Sequence, residues 1–186
     1  MDAIACSAIA AVFGRAIAEI AEENGELEAV TADLETARQA FTVPELRVFF
    51  ANPLEPRQAK LDLIEAVFAG RCTVTFQFFL KVIVSRRRGR LMPEILRAGL
   101  HECLARRGIE VVSVTTAVPL DDGQKAKIRE ALAAGLGVPI YTEHHLSPAL
   151  MGGIVIKRGD QLLDASVLGI LRRIEDLLAG GLVEQR

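Results

Sequence analysis

Cysteine is scarce and unpatterned in this chain. Cys6, Cys72 and Cys103 are odd in number and far apart, with no C-x-x-C pair. That pattern argues against a disulfide framework and fits a reducing compartment. Aromatic residues make up only 5%, with no tryptophan and one tyrosine, whereas alanine and leucine abound, a balance that favours helices. Neither sign of charge dominates. The formal net charge is −2, so bulk charge gives no bias toward nucleic acid or acidic lipid. Long hydrophobic runs are missing too: the uncharged stretches reach about a dozen residues, short of the roughly 20 that a spanning helix needs. The apolar start at residues 3–13 has Asp2 where a signal peptide would place positive charge. The expectation is a soluble, cytosolic protein with nothing to hold it in a membrane by itself. What is present is globular material, 51% hydrophobic and 25% charged over 186 residues, enough for one large domain or two small ones with buried cores.

Hydrophobic periodicity divides the chain near Gly108. Residues 4–107 read almost entirely as helix. Ile9, Val12, Phe13, Ala16, Ile17 and Ile20 fall at helical spacing, and Asn24-Gly25 ends that helix or kinks it. Further helices are expected at 27–41, in a short turn opened by Pro44, from Pro56 at a first helical position as far as Gly70, at 73–88, and at 92–107. Short helices with short connections describe a bundle. Beyond Gly108 the β-branched run IEVVSVTTAV at 109–118 reads as a strand. Asp121, with Gln124 three residues on, is a capping-box start for a helix carrying Ile128, Leu132 and Leu136. Strands at 140–146, 154–158 and 161–164 and a last helix at 167–178 complete the pattern. The fold class is therefore an α-helical bundle at residues 1–107 followed by a small α+β domain at 108–186.

No set of residues converges on chemistry. The Walker pattern is absent, and the Gly-Gly of LSPALMGGIVIKRGDQLLDAS at 146–166 precedes a strand, whereas a phosphate loop precedes a helix. His101-Glu102 lacks a second histidine four residues on, and His144 and His145 point to opposite faces of their strand. Asp164 and Ser166 read as caps of the last helix. Catalytic residues, metal ligands and cofactors are accordingly expected to be none. SRRRGRL at 85–91 is the best case for nucleic acid, so an RNA-binding α+β protein using Arg86, Arg87, Arg88 and Arg90 is the runner-up reading. Against it stand the absence of interleaved aromatics and the slightly acidic chain. The helices at 4–20 and 73–84 are apolar nearly all round, which suits either a tight core or a groove that accepts an outside helix.

Taken together, FGRAIAEIAEENGELEAV at 13–30, FFANPLEPRQAK at 49–60, FFLKVIVSRRRGRLMPEI at 78–95 and LSPALMGGIVIKRGDQLLDASVLGIL at 146–171 resemble the delta subunit of F-type ATP synthases, called the oligomycin-sensitivity-conferring protein in mitochondria. The likeness runs from about Ala8 to Leu178. Gly14 stands where the family has alanine, Ala165 where it has glycine and Leu168 where it has arginine. The resemblance implies a non-catalytic stator subunit, one copy per complex, on the cytoplasmic face of a bacterial inner membrane. It also implies two partners. The N-terminal helix of an alpha subunit would lie between the first and fifth helices, on Phe13, Ala16, Ile17, Ile20, Phe79, Val82 and Ile83. The b-subunit end of the peripheral stalk would be held by the second domain. There Gly152 and Gly153 allow a bend or close approach, and Gly159-Asp160 forms a hairpin turn.

Overall fold

A computed structural model describes residues 3–68 and 70–171. The chain divides into two compact units, Met1–Arg107 and Gly108–Arg186.

The first unit holds six helices: α1 (Ala3–Glu23), α2 (Leu27–Ala40), α3 (Pro44–Ala51), α4 (Arg57–Phe68), α5 (Val74–Ser85) and α6 (Met92–Arg106). Helix α6 packs against both α1 and α2, while α4 lies against α5. Ile17, Leu34, Phe76, Ile83, Ile95 and Leu100 are fully buried, so the apolar stripes cover one another. The helix ends follow local chemistry. Gly25, Gly70 and Gly108 adopt positive φ after α1, α4 and α6, the conformation that ends helices and that glycine takes without steric cost. At the start of α5 the Thr73 hydroxyl accepts the Phe76 N–H, and Thr73 donates from both its N–H and its hydroxyl to the Asp33 carboxylate of α2 at 2.8 Å.

Two boundaries differ from expectation. Helix α5 stops at Ser85 and not at 88, because Arg87 takes φ +57° and a 3-10 turn at Gly89–Leu91 follows. Pro56 lies outside α4, where its carbonyl accepts from Lys60 N–H at 3.3 Å. The lysine of the NP-turn motif also has a defined task. Lys60 is buried and donates from Nζ to the carbonyls of Phe50 (3.0 Å) and Asn52 (2.6 Å), satisfying the end of α3.

The second unit holds β1 (Glu110–Thr116), α7 (Asp122–Leu136), β2 (Ile140–Leu146), β3 (Gly153–Arg158) and β4 (Gln161–Ser166), and residues 167–171 begin a further helix. The remainder of the helix expected at 167–178 lies outside the described residues. The sheet order is β2-β1-β3-β4, with β1 parallel to β2 and antiparallel to β3. A parallel pair needs a crossover, which α7 supplies. Its Ile128, Leu132 and Leu136 cover Val112, Val114 and Ile140. Asp121 caps α7 in a full capping box with Gln124. Arg158 of β3 grips Glu110 of β1 through Nε and Nη2 at 2.5 and 2.7 Å, a forked pair that fixes the register of the two strands.

Candidate functional site

Helices α1 and α5 run antiparallel. At one end Asn24 Nδ2 donates to Thr75 Oγ1 (3.3 Å), and that hydroxyl donates to Glu26 (2.6 Å), tying the end of α1 to the start of α5. At the other end the start of α1 meets the end of α5 in an open hollow of about 560 Å³, lined by Ala8, Ile9, Val12, Phe13, Ala16, Val82, Arg86 and Arg88. Phe13 closes its floor by ring contact with Phe79, centroids 6.4 Å apart.

The expected groove residues divide into two groups. Phe13, Ala16 and Val82 line the hollow, and Ile20 is exposed further along α1. Ile17 and Ile83 do not reach it: both are fully buried in the bundle, Ile17 beside Gly99 of α6. Phe79 is buried as well and contributes only as floor. Sequence reasoning omitted Ile9, Val12, Arg86 and Arg88, and also Phe78, which is 67% exposed and sits at helical spacing between Val74 and Val82. The signal was present, since residues 9, 12, 13, 16 and 20 form one stripe and 74, 78 and 82 another.

The glycine signature of the second unit has a mechanical explanation. Gly153 has φ +79°, and a β-carbon there would run into the Ala165 carbonyl and lie 2.9 Å from Ser166 Cα, so only glycine lets β4 pair this closely. Gly159 (φ +54°) and Asp160 join β3 to β4, with Arg158 paired to Gln161 across the turn. Asp164 accepts the N–H and hydroxyl of Ser166 (2.9 and 2.6 Å), and the Ser166 hydroxyl accepts the Gly169 N–H. Gly169 leaves room for that carboxylate, because a β-carbon there would sit 2.5 Å from Asp164 Oδ2. Ser166 is thus the helix cap, held in place by Asp164.

The reactive side chains are quiet. Burial raises the Cys72 and Cys103 thiols to about 11, which keeps them protonated at neutral pH. Among the described residues no three His, Cys, Asp or Glu side chains are placed to hold a metal ion. The arginine cluster borders two surfaces: Arg86 lines the α1/α5 hollow, Arg87 and Arg90 line a second one beside α3 and α4, and Arg88 borders both.

The family model described as ATP synthase delta (OSCP) subunit matches residues 9–178. The chain belongs to that family. ATP synthase subunit delta of Synechococcus sp. (strain JA-3-3Ab) is 33% identical over 171 residues, covering 90% of this chain and 93% of the relative. That of Desulfitobacterium hafniense (strain Y51) is 30% identical and covers 92% and 97%. The fold is similar to a chain of the Toxoplasma gondii mitochondrial ATP synthase hexamer, with a TM-score of 0.71 at 23% identity, covering 91% of this chain and 97% of the other. This delta-family chain is therefore a subunit of an F-type ATP synthase, and no helix among its described residues is long and apolar enough to cross a membrane.

Proposed function

We propose that this subunit is a non-catalytic stator adaptor of a proton-translocating ATP synthase, present once per complex on the cytoplasmic face of a bacterial inner membrane. The first unit binds the N-terminal helix of an alpha subunit, and the second binds the b-subunit end of the peripheral stalk. The head is thereby kept from turning with the shaft, so torque becomes ATP. The observation that carries the reading is the open hollow between α1 and α5, where Ile9, Val12, Ala16 and Val82 offer apolar surface to an incoming helix. Ala16 is exposed and small, so a partner backbone can approach closely. In the second unit Leu162 and Leu163 on the edge strand β4, with Ile170 and Leu171 beyond it, supply exposed apolar area for the stalk. Gly152, Gly153, Gly159 and Asp160 act on that side through the strand and turn they shape.

Two partners held by one chain gain effective concentration, and nanomolar affinity for a helix laid in the groove corresponds to about −12 kcal/mol. The test is titration of the full chain into a labelled peptide of the same organism's alpha-subunit N-terminus. Ala16→Trp and Val82→Asp remain helical and bind at least about tenfold more weakly, a loss of roughly 1.4 kcal/mol. Unchanged affinity in both folded variants overturns the groove assignment.

A further inference from the structure

We propose that the α1/α5 groove reads charge along its length and accepts, in one direction only, an amphipathic helix with acidic side chains at one end and basic side chains at the other. The inference rests on the stator reading and adds to it the charge pattern of the occupant.

The antiparallel pairing of the two helices gives the groove unlike ends. At the start of α1 the apolar wall of Ile9, Val12 and Val82 finishes in Arg86 and Arg88. The exposed stripe of α1 continues from Ala16 through Ile20 and finishes at Glu23, three residues on, with Glu19 flanking it. From Ile9 to Glu23 α1 rises about 21 Å, long enough for roughly four turns of a partner helix. None of Arg86, Arg88, Glu19 or Glu23 forms an ion pair among the described residues. The nearby Glu22 is by contrast paired with Arg106, and Glu26 accepts from Thr75. Among the described residues these two cations and two anions are therefore available at opposite ends of the exposed apolar stripe. A purely apolar stripe would let a helix slide by a turn or bind reversed, since one ridge of aliphatic residues resembles the next. Fixed charges of opposite sign at the two ends penalise reversal twice, by juxtaposing like charges at both ends.

The test uses the full chain and two peptides. One is the alpha-subunit N-terminal peptide; the other keeps its apolar residues but exchanges every acidic for a basic side chain and the reverse. The wild-type chain binds the first at least about tenfold tighter at about 50 mM salt, and the gap narrows at about 500 mM as screening grows. In the variant Glu19→Lys/Glu23→Lys/Arg86→Glu/Arg88→Glu the net charge is unchanged, and the preference inverts. Should that variant fail to fold by circular dichroism, the milder Arg86→Gln/Arg88→Gln and Glu19→Gln/Glu23→Gln pairs each abolish most of the preference. Reversal of Arg47 and Arg90 to glutamate, on the separate hollow between α3 and α6, leaves the preference in place. Equal binding of both peptides to the wild type, or a preference unmoved by the swaps, overturns the proposal. If Val82→Asp weakens binding while no sign preference exists, the groove reading survives and only the charge axis falls. If Val82→Asp has no effect, the groove reading itself falls.

Discussion

A β-carbon on Gly14 of α1 would lie 2.7 Å from the carbonyl carbon of Ala98 in α6, so the two helices meet backbone to backbone at that point. Gly99 answers from the α6 side, its missing side chain leaving space for Ile17 and Leu34. Considered in isolation, alanine at position 14 would strengthen the helix by about 1 kcal/mol. Here the added methyl meets backbone, which cannot step aside as a side chain can. Gly14→Ala should therefore destabilise the first unit, overpacking at about 1–3 kcal/mol outweighing the propensity gain. Urea unfolding followed by far-UV circular dichroism checks this, and a stabilised variant would show that α1 and α6 are less closely apposed.

Lys60 offers a second test, in the first unit. Its ammonium group answers two carbonyls at the end of α3 from a buried position, and methionine would keep the stem while removing both donors. Lys60→Met should cost about 1–3 kcal/mol, the range for leaving buried acceptors unsatisfied. Equal stability in the variant, measured by the same unfolding, would mean that water replaces the lysine at no loss.

The order and kind of elements were legible because helix and strand periods change cleanly at Gly108, and because Gly25, Gly70, Gly108 and Gly137 all take the positive φ that ends a helix. The end of α5 was not, since Arg87 adopts a conformation for which sequence normally signals glycine. The groove was legible as a pair of helices and only in part as residues. Helices α1 and α5 are apolar on several sides, so spacing alone cannot decide that Ile17 and Ile83 face the core while Val12 and Phe78 face out. That choice is made by the neighbouring helices, α6 against α1 and α4 against α5. The arginines at 86–90 posed the same difficulty: a cluster in sequence becomes two surfaces once the turn after α5 is formed.

Gly153 tests the close approach of β3 and β4. Any side chain there meets the Ala165 carbonyl and also carries the strain of positive φ, so Gly153→Asp should disrupt the β3–β4 pairing and the helix start capped by Ser166. Gly159→Asn is the mild comparison, because asparagine tolerates positive φ and nothing lies within 4 Å of the position. Thermal unfolding should fall sharply for the first and by only a few tenths of a kcal/mol for the second. Wild-type stability of Gly153→Asp would remove the close-approach account.

The last prediction concerns pH and the second unit. His144 on β2 is held below its ordinary pKa, first by burial and then by Lys125 and His145, and its Nδ1 is buried without a hydrogen-bond partner. Its Nε2 lies 3.1 Å from the Thr142 hydroxyl. The folded chain therefore keeps this ring neutral at a pH where the unfolded chain, with a histidine near 6.5, has begun to take the proton. Above about pH 7.5 both states are neutral and the group contributes no slope. As pH falls through about 6.5 the unfolded state binds the extra proton first, so stability declines until the folded-state pKa is reached and then levels off. Glu110 and Asp122 are shifted down by Arg158 and Lys125, so their losses come in the more acidic carboxylate range. The sole tyrosine, Tyr141, lies in β2 and there is no tryptophan, so intrinsic fluorescence reports this unit alone. Urea midpoints read by Tyr141 should fall between pH 7.5 and 5.5 in the wild type, and His144→Gln should flatten most of that slope. An identical slope in the variant would assign the acid sensitivity to another group.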